Sequence, residues 1–368
     1  MARIDALFIY LKQHSGSDLH LAAGLRPHIR RHGRLEAVEG WDALSDEALQ
    51  ELLREMVSET QWTHYRKTLD LDFAYALEGQ GRFRANFLHQ ENGVGAVFRI
   101  IPERIKTLDE LRAPAILKTL AELEQGLVLV TGPTGSGKST TLAAIIDEIN
   151  TRHAKHIITI EDPVEFVHPN KGCTLSQREV GTDTTSFGAA LRSAIRQDAG
   201  VILVGEMRDF ETISLAITAA EMGALVFGTL HTNSAAKTID RVIDAFPTDQ
   251  QSQARTMLSE SLAAVVSQLL LPTADGQGRV AAQEILLKTP GLPNIIREGN
   301  TTMLGSLIQS GKSLGMQAMD DVLASFVTEG RIKAETAFMK AQNKQRFEAL
   351  MEKERQESAA SDEMPASH

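Results

Sequence analysis

"LVLVTGPTGSGKSTTLAAIIDEI", residues 127–149, reads as a strand, a loop and a helix in that order. Leu127 to Val130 is an apolar run suited to a buried strand, and from Thr140 onward Leu142, Ile145, Ile146 and Ile149 keep helical spacing. Between them Gly132, Gly137, Lys138 and Ser139 fit G-x-x-x-x-G-K-[ST]. Glycines let backbone N–H groups close on phosphate oxygens, and the positive end of the new helix points at the same place. The candidate phosphate cradle is therefore Gly132, Thr134, Gly135, Ser136, Gly137, Lys138, Ser139 and Thr140. In such a cradle Lys138 reaches the β- and γ-phosphates of a nucleoside triphosphate, and Ser139 offers its hydroxyl to Mg²⁺.

Around this unit the apolar segments "HIITIED", "AGVILVGE" and "ALVFGTLH" each precede a helical or polar stretch. That alternation predicts an α/β domain with a parallel sheet. Ligands of such sheets bind at the carboxyl ends of the strands. Lys138, Glu161, Asp162, Glu206 and His231 all fall there.

The preceding part, residues 1–102, reads as a smaller α+β domain. Ile4, Leu7, Phe8 and Leu11 have helical spacing, residues 44–58 form a second helix with Ser45 as N-cap, and Asn92-Gly93 marks a strand pair. The proline-bracketed, charged run 103–114 is expected to be a linker, or the first segment of the next domain. A nucleotide-binding domain is expected over 115–350, with helical character toward its end. The polar, acidic tail 351–368 is expected to be disordered.

The chain has 368 residues, 42% of them hydrophobic and 23% charged, which suits a globular protein of two or three domains. No stretch approaches the roughly 18 to 20 apolar residues that span a bilayer, so a cytoplasmic location is expected. A single cysteine, Cys173, excludes an internal disulfide or a four-cysteine zinc module and is expected to be a packed thiol. A net charge of −10 argues against general nucleic-acid binding, which is driven by Lys and Arg.

Hydrolysis of a bound triphosphate needs a metal, a base and positive charge at the γ-phosphate. Gly205 stands where many P-loop enzymes have Asp, so Glu206 is the acid expected to reach Mg²⁺ or its water shell. In "ITIEDPVEF" Glu161, Asp162 and Glu165 are all candidate bases, and spacing alone does not choose among them. His231 ends another strand and is either a γ-phosphate sensor or a satisfied core histidine.

Taken with "SDLHLAAGLRPHIR", "RFRANF", "GAVFRIIP", "QREVGTDTTSF", "VGEMRD", "LVFGTLHTNSAAKTIDRVID" and "GKSLGMQAMD", these segments resemble the PilT family of type IV pilus retraction ATPases over nearly the whole chain. The resemblance implies a PAS-like N-terminal domain, a RecA-like P-loop ATPase domain and a homohexameric ring that hydrolyses ATP with Mg²⁺. It makes Glu165 the catalytic base, Glu206 the second Walker acid and His231 the surviving histidine of the His box. It also points to Arg84 and Arg99 as arginines turned toward the nucleotide phosphates. Without it, both would be read as ordinary surface residues.

The implied partners are further copies of the chain, the inner-membrane pilus platform protein at the cytoplasmic face, and a paralogous retraction ATPase. Nucleic acid is not among them. Two departures stand out. Ala224 occupies the place of the His box's first histidine; because it precedes the strand ending at His231, it is expected to reach the nucleotide or a subunit interface. In "GLPNIIRE", residues 291–298, Pro293 replaces the first arginine of the signature associated with retraction, a change that a helix's first turn tolerates. These departures motivate the alternative of an accessory, PilU-like ring subunit. A pilus-assembly or type II secretion ATPase fits less well, because the chain starts almost directly with the PAS-like segment and lacks the zinc-binding cysteines.

Overall fold

The structure, a computed structural model, describes residues 3–31, 33–101 and 104–362. Its contacts divide into two units: one runs up to Ile105 and also takes in Pro163–Val167, and the other holds Lys106–Asp162 and the chain from His168 onward.

In the first unit the chain runs α1 (Asp5–Gln13), β1 (Asp18–Ala22), β2 (His28–Arg31), β3 (Arg34–Ala37), α2 (Asp46–Arg54), α3 (Glu59–Thr68), β4 (Asp70–Leu77), β5 (Gly81–Gln90) and β6 (Gly93–Ile101). The six strands form an antiparallel sheet in the order β3-β2-β1-β6-β5-β4. Ser45 caps α2 by accepting from the Ala48 N–H, as its position before an apolar-periodic run predicts. Alternation along the strands turns Phe83, Phe87 and Phe98 to one face, against α1. There the Phe8 ring centroid lies 4.3 Å from that of Phe83 and 5.1 Å from that of Phe98. Removing a ring so enclosed costs about 3–5 kcal/mol.

The Asn92-Gly93 turn sets the register of the β5–β6 hairpin, and counting back from the Gln90↔Gly93 pair places Arg84 directly opposite Arg99. Like charges in that position repel unless each finds a counter-charge. Both do, as described below.

Of the two readings of the proline-bracketed run, Lys106–Pro114 follows the second, as the first segment of the next domain. It joins the second unit, and Leu108 is buried in that unit's core, because an apolar side chain amid the charged run has a hydrophobic surface to cover. After it come α4 (Ile116–Ala121), β7 (Gly126–Thr131), α5 (Lys138–Arg152), β8 (His156–Glu161), β9 (Thr174–Glu179), α6 (Phe187–Ala194), β10 (Val201–Val204), α7 (Phe210–Glu221) and β11 (Leu225–Leu230). The chain continues through α8 (Ala235–Asp244), α9 (Gln251–Ser261), β12 (Leu262–Pro272), β13 (Arg279–Leu287), α10 (Leu292–Glu298), α11 (Leu304–Ser310), α12 (Met319–Thr328), α13 (Ala334–Lys340) and α14 (Lys344–Asp362).

The second sheet has the order β13-β12-β7-β11-β10-β8-β9 and is parallel except for β13. Both faces are covered. Leu127 and Leu129 of β7 enter one core with α7, α8 and α9, while Val128 and Val130 enter the other with α5. That is why the central strands read as unbroken apolar runs. Cys173 is buried in the α5-side core, its thiol 3.1 Å from the His153 carbonyl.

Register fixes where the departures lie. β11 pairs with β7 from Leu225↔Gly126 to Leu230↔Thr131, and the Gly126 N–H donates to the Ala224 carbonyl at 3.1 Å. Ala224 therefore sits at the amino end of the sheet and the phosphate loop at the carboxyl end, about 20 Å apart at roughly 3.3 Å per residue. The expectation that Ala224 reaches the nucleotide is corrected: a parallel strand's two termini lie on opposite edges. Pro293 does occupy the first turn of α10. The tail also departs from expectation, since α14 continues to Asp362; its Ala, Glu, Lys, Gln and Arg content favours helix over the irregular chain its polarity suggested. Residues 363–368 lie outside the described residues.

Candidate functional site

The phosphate loop leaves β7 at Thr131 and enters α5 at Lys138, with Gly137 as N-cap at a φ of +84°. Gly132 has no room for a side chain, since a Cβ there would fall 2.3 Å from the Gln268 carbonyl oxygen. The Lys138 ammonium arches back over the loop and donates to the Gly132 carbonyl at 2.8 Å and the Pro133 carbonyl at 3.2 Å. Ser139 and Thr140 follow in the first turn of α5.

The sheet order β7-β11-β10-β8 lines up four strand ends beside one another. The loop follows the first, His231 the second, Glu206 the third, and Glu161 with Asp162 the fourth. At about 4.8 Å per strand, the β10 end lies about 10 Å along the edge from the loop. Glu206 is held from two sides: Arg208 donates to Oε2 at 2.6 Å, and His231 Nε2 meets Oε1 at 3.0 Å. The Arg208 hydrogen bond holds its carboxyl below the usual carboxylate range, against a smaller opposing push from burial.

Gly205, one position before the acid, is closely packed. A Cβ on Gly205 would lie 3.1 Å from the Ile160 carbonyl oxygen and 3.2 Å from the Glu161 Cα. β10 passes so close to the end of β8 there that a side chain would need the neighbouring backbone to give by a few tenths of an ångström. The three carboxylates at the end of β8 and beyond it part company: Glu161 Oε1 accepts from the Thr159 hydroxyl at 2.7 Å, Asp162 is exposed, and Glu165 belongs with the first unit.

In the first unit Arg84 Nη1 lies 3.8 Å from Glu165 Oε1. Its cross-strand neighbour Arg99 donates from Nε to Asp18 Oδ1 at 2.7 Å, Asp18 being the facing residue on β1. Burial pushes the Asp18 carboxyl up, but hydrogen bonds from Ser17 and Arg99 outweigh it and hold the group below its ordinary value. The two arginines thus share one patch of sheet, each with its own acid. An oxygen-only donor set of Ser139 and an ionised Glu206 suits a hard cation such as Mg²⁺. Among the described residues no group of three or more His, Cys, Asp or Glu is placed to hold a metal, and no helix is long and apolar enough to cross a membrane.

Sequence reasoning missed Arg208, although it stands two residues after Glu206 in "VGEMRD", and it missed Asp18, whose role depends on strand pairing. It also missed Gln268, a lone carboxamide in the apolar run "LAAVVSQLLL". A polar residue in a buried strand is the signal that would have found it.

Residues 28–359 match the family described as Type II/IV secretion system protein. The chain is 49% identical over 344 residues to the type IV pilus retraction ATPase PilT of Pseudomonas aeruginosa, covering 94% of this chain and 99% of that protein. It is 41% identical over 337 residues to the type IV pilus ATPase PilU of the same organism, covering 92% of this chain and 88% of that protein. A crystal structure of the pilus retraction motor PilT with bound ADP is similar at a TM-score of 0.87 and 40% identity, covering 95% of this chain and 99% of that one.

Proposed function

Since the chain belongs to the PilT family of pilus retraction ATPases, within the type II/IV secretion system proteins, we propose that its ATP turnover drives retraction through the residues set out above. The chain is an ATPase, and retraction of a type IV pilus is the work it performs. The observation that carries the site assignment is Glu206, clamped between Arg208 and His231 on the same sheet edge as the phosphate loop.

In this reading the loop N–H groups and Lys138 bind the phosphates, and Lys138 exchanges its carbonyl partners for phosphate oxygens. Ser139 and Glu206 would hold Mg²⁺, which would supply positive charge against the phosphates. His231 fixes the orientation of Glu206. Glu165 takes the proton of the attacking water, and Arg84 and Arg99 supply positive charge to the γ-phosphate as it departs. An exposed ion pair at 3.8 Å is worth at most about 1 kcal/mol, so Arg84 is readily given up by Glu165 to a phosphate.

The first unit is read as the PAS-like domain and the second as the RecA-like domain, in a homohexamer at the cytoplasmic face of the inner membrane, against the pilus platform protein. Greater identity to PilT than to PilU favours a principal motor over an accessory subunit. The test is steady-state hydrolysis by the purified chain, with the assembly sized by sedimentation. Mg²⁺-dependent turnover by a hexamer is expected, with Arg84→Ala and Arg99→Ala each slowing kcat about tenfold or more while nucleotide affinity changes far less. Wild-type rates in both variants would end the arginine assignment.

A further inference from the structure

We propose that Gln268 is a positioning residue for ATP binding, setting the direction of one backbone N–H in the phosphate loop. Gln268 is on β12, one residue past the Ser267↔Thr131 pair that ends the β12–β7 ladder, and its side chain is buried beneath the loop. Its Nε2 donates to the Ser136 carbonyl at 2.6 Å. Its Oε1 accepts from the Thr141 hydroxyl at 2.8 Å and from Gln283 Nε2 at 2.7 Å. Ser136 and Thr141 bracket Gly137, Lys138, Ser139 and Thr140, so one carboxamide grips the loop-to-helix junction on both sides. Gln283, on β13 and equally buried, grips the carboxamide in turn.

The consequence follows from peptide geometry. The Ser136 C=O and the Gly137 N–H belong to one planar trans peptide and point in opposite directions. Drawing the carbonyl inward to Gln268 turns the N–H outward, to the loop's open side where phosphate oxygens bind. Gly137 cannot hold that orientation unaided, because glycine adopts positive and negative φ about equally well and its +84° is one choice among several. Without Gln268 the peptide is free to rotate and the N–H is lost to the phosphate. The role demands a donor toward Ser136 and an acceptor toward Thr141 and Gln283, a combination a carboxamide has and an ionised carboxylate or an apolar chain lacks.

The proposal rests on the ATP-binding reading above, and its test separates the two. Equilibrium affinity for fluorescent ADP and KM for ATP are measured on the full chain for wild type, Gln268→Met and Gln268→Glu at pH 6 and pH 8.5. Gln268→Met is expected to weaken ADP binding and raise KM about tenfold, with kcat within about threefold and the nucleotide-free melting temperature within a few degrees. In Gln268→Glu burial pushes the carboxyl's pKa up, and when protonated it regains the donor. Its affinity deficit relative to wild type is therefore expected to shrink at least fivefold from pH 8.5 to pH 6, a response that simple loss of packing does not give. If Gln268→Met fails to fold, the pH response of Gln268→Glu decides alone. A deficit that is absent, or the same at both pH values, overturns the proposal. A wild type that binds ADP without hydrolysing ATP would contradict the functional reading and leave the affinity comparison standing.

Discussion

The two ends of the second unit's sheet are built from the same strands and differ in almost everything else. At the carboxyl end β7, β11, β10 and β8 release the phosphate loop, His231, Glu206 and the acidic segment side by side. At the amino end the backbone closes on itself: Gly126 N–H donates to Ala224, Leu225 N–H to Gly200 and Gly200 N–H to His156. A concavity of about 480 Å³ exists there too, lined by Glu124, Lys155, His156, Asp198 and Ala224 among others. Several of its polar groups already satisfy one another or the backbone. Lys155 meets Glu124 at 3.0 Å, and His156 has the Gln197 carbonyl at 2.9 Å and the Ser176 hydroxyl at 3.1 Å on its two ring nitrogens. Volume and titratable side chains do not make a site. Converging polar groups beside a loop that binds phosphate do.

If the contrast holds, substitutions at the carboxyl end dominate. Lys138→Ala is expected to abolish ATP hydrolysis and nucleotide binding together, since it removes the cation of the loop, and titration with fluorescent ADP checks both claims. Glu165→Gln is expected to bind ATP normally while turnover falls by about 10² or more, because it removes a base and little of the site. Equal loss of binding in the two variants would move the base elsewhere.

A smaller effect, on stability alone, is expected at Asp321. Hydrogen bonds from Lys312 and Arg346 hold its carboxyl far below the usual range. A depressed pKa means the stabilisation is complete above the unfolded value near 4 and is lost as pH falls through the folded one. Asp321→Asn is therefore expected to cost about 1–2 kcal/mol at pH 7 and progressively less in acid. Thermal melts from pH 3 to pH 7 check the trend, and a cost that grew toward acid would reverse the sign assigned here.

At the amino end Ala224→His is expected to change kcat by less than about twofold, a few tenths of a kcal/mol in activation free energy. Pro293→Arg, in the first turn of α10, is expected to do as little. A strong effect of Ala224→His on nucleotide affinity would break the comparison between the two ends.

Much of the carboxyl end was legible because its signals are local. A strand, a glycine loop and a helix are contiguous in residues 126–152, and each apolar strand announces the polar residue that follows it. The Asn92-Gly93 turn even fixes the facing of Arg84 and Arg99, once the hairpin register is counted. What escaped depends on contacts between distant segments. Asp18 becomes Arg99's partner only through the β1–β6 pairing, and Gln268 meets Ser136 across 132 residues of chain. The reach of Ala224 to the nucleotide fails for a related reason. Nearness in sequence to His231 is not nearness in space, because an extended strand of six residues intervenes.

The most direct measurement is pilus retraction, followed by twitching or by force on single pili, in cells where this chain is the sole retraction ATPase. Wild type is expected to retract pili, and Lys138→Ala is expected to leave them extended. If the purified wild-type chain hydrolyses ATP while cells relying on it alone fail to retract, the chain is an accessory subunit and not the motor.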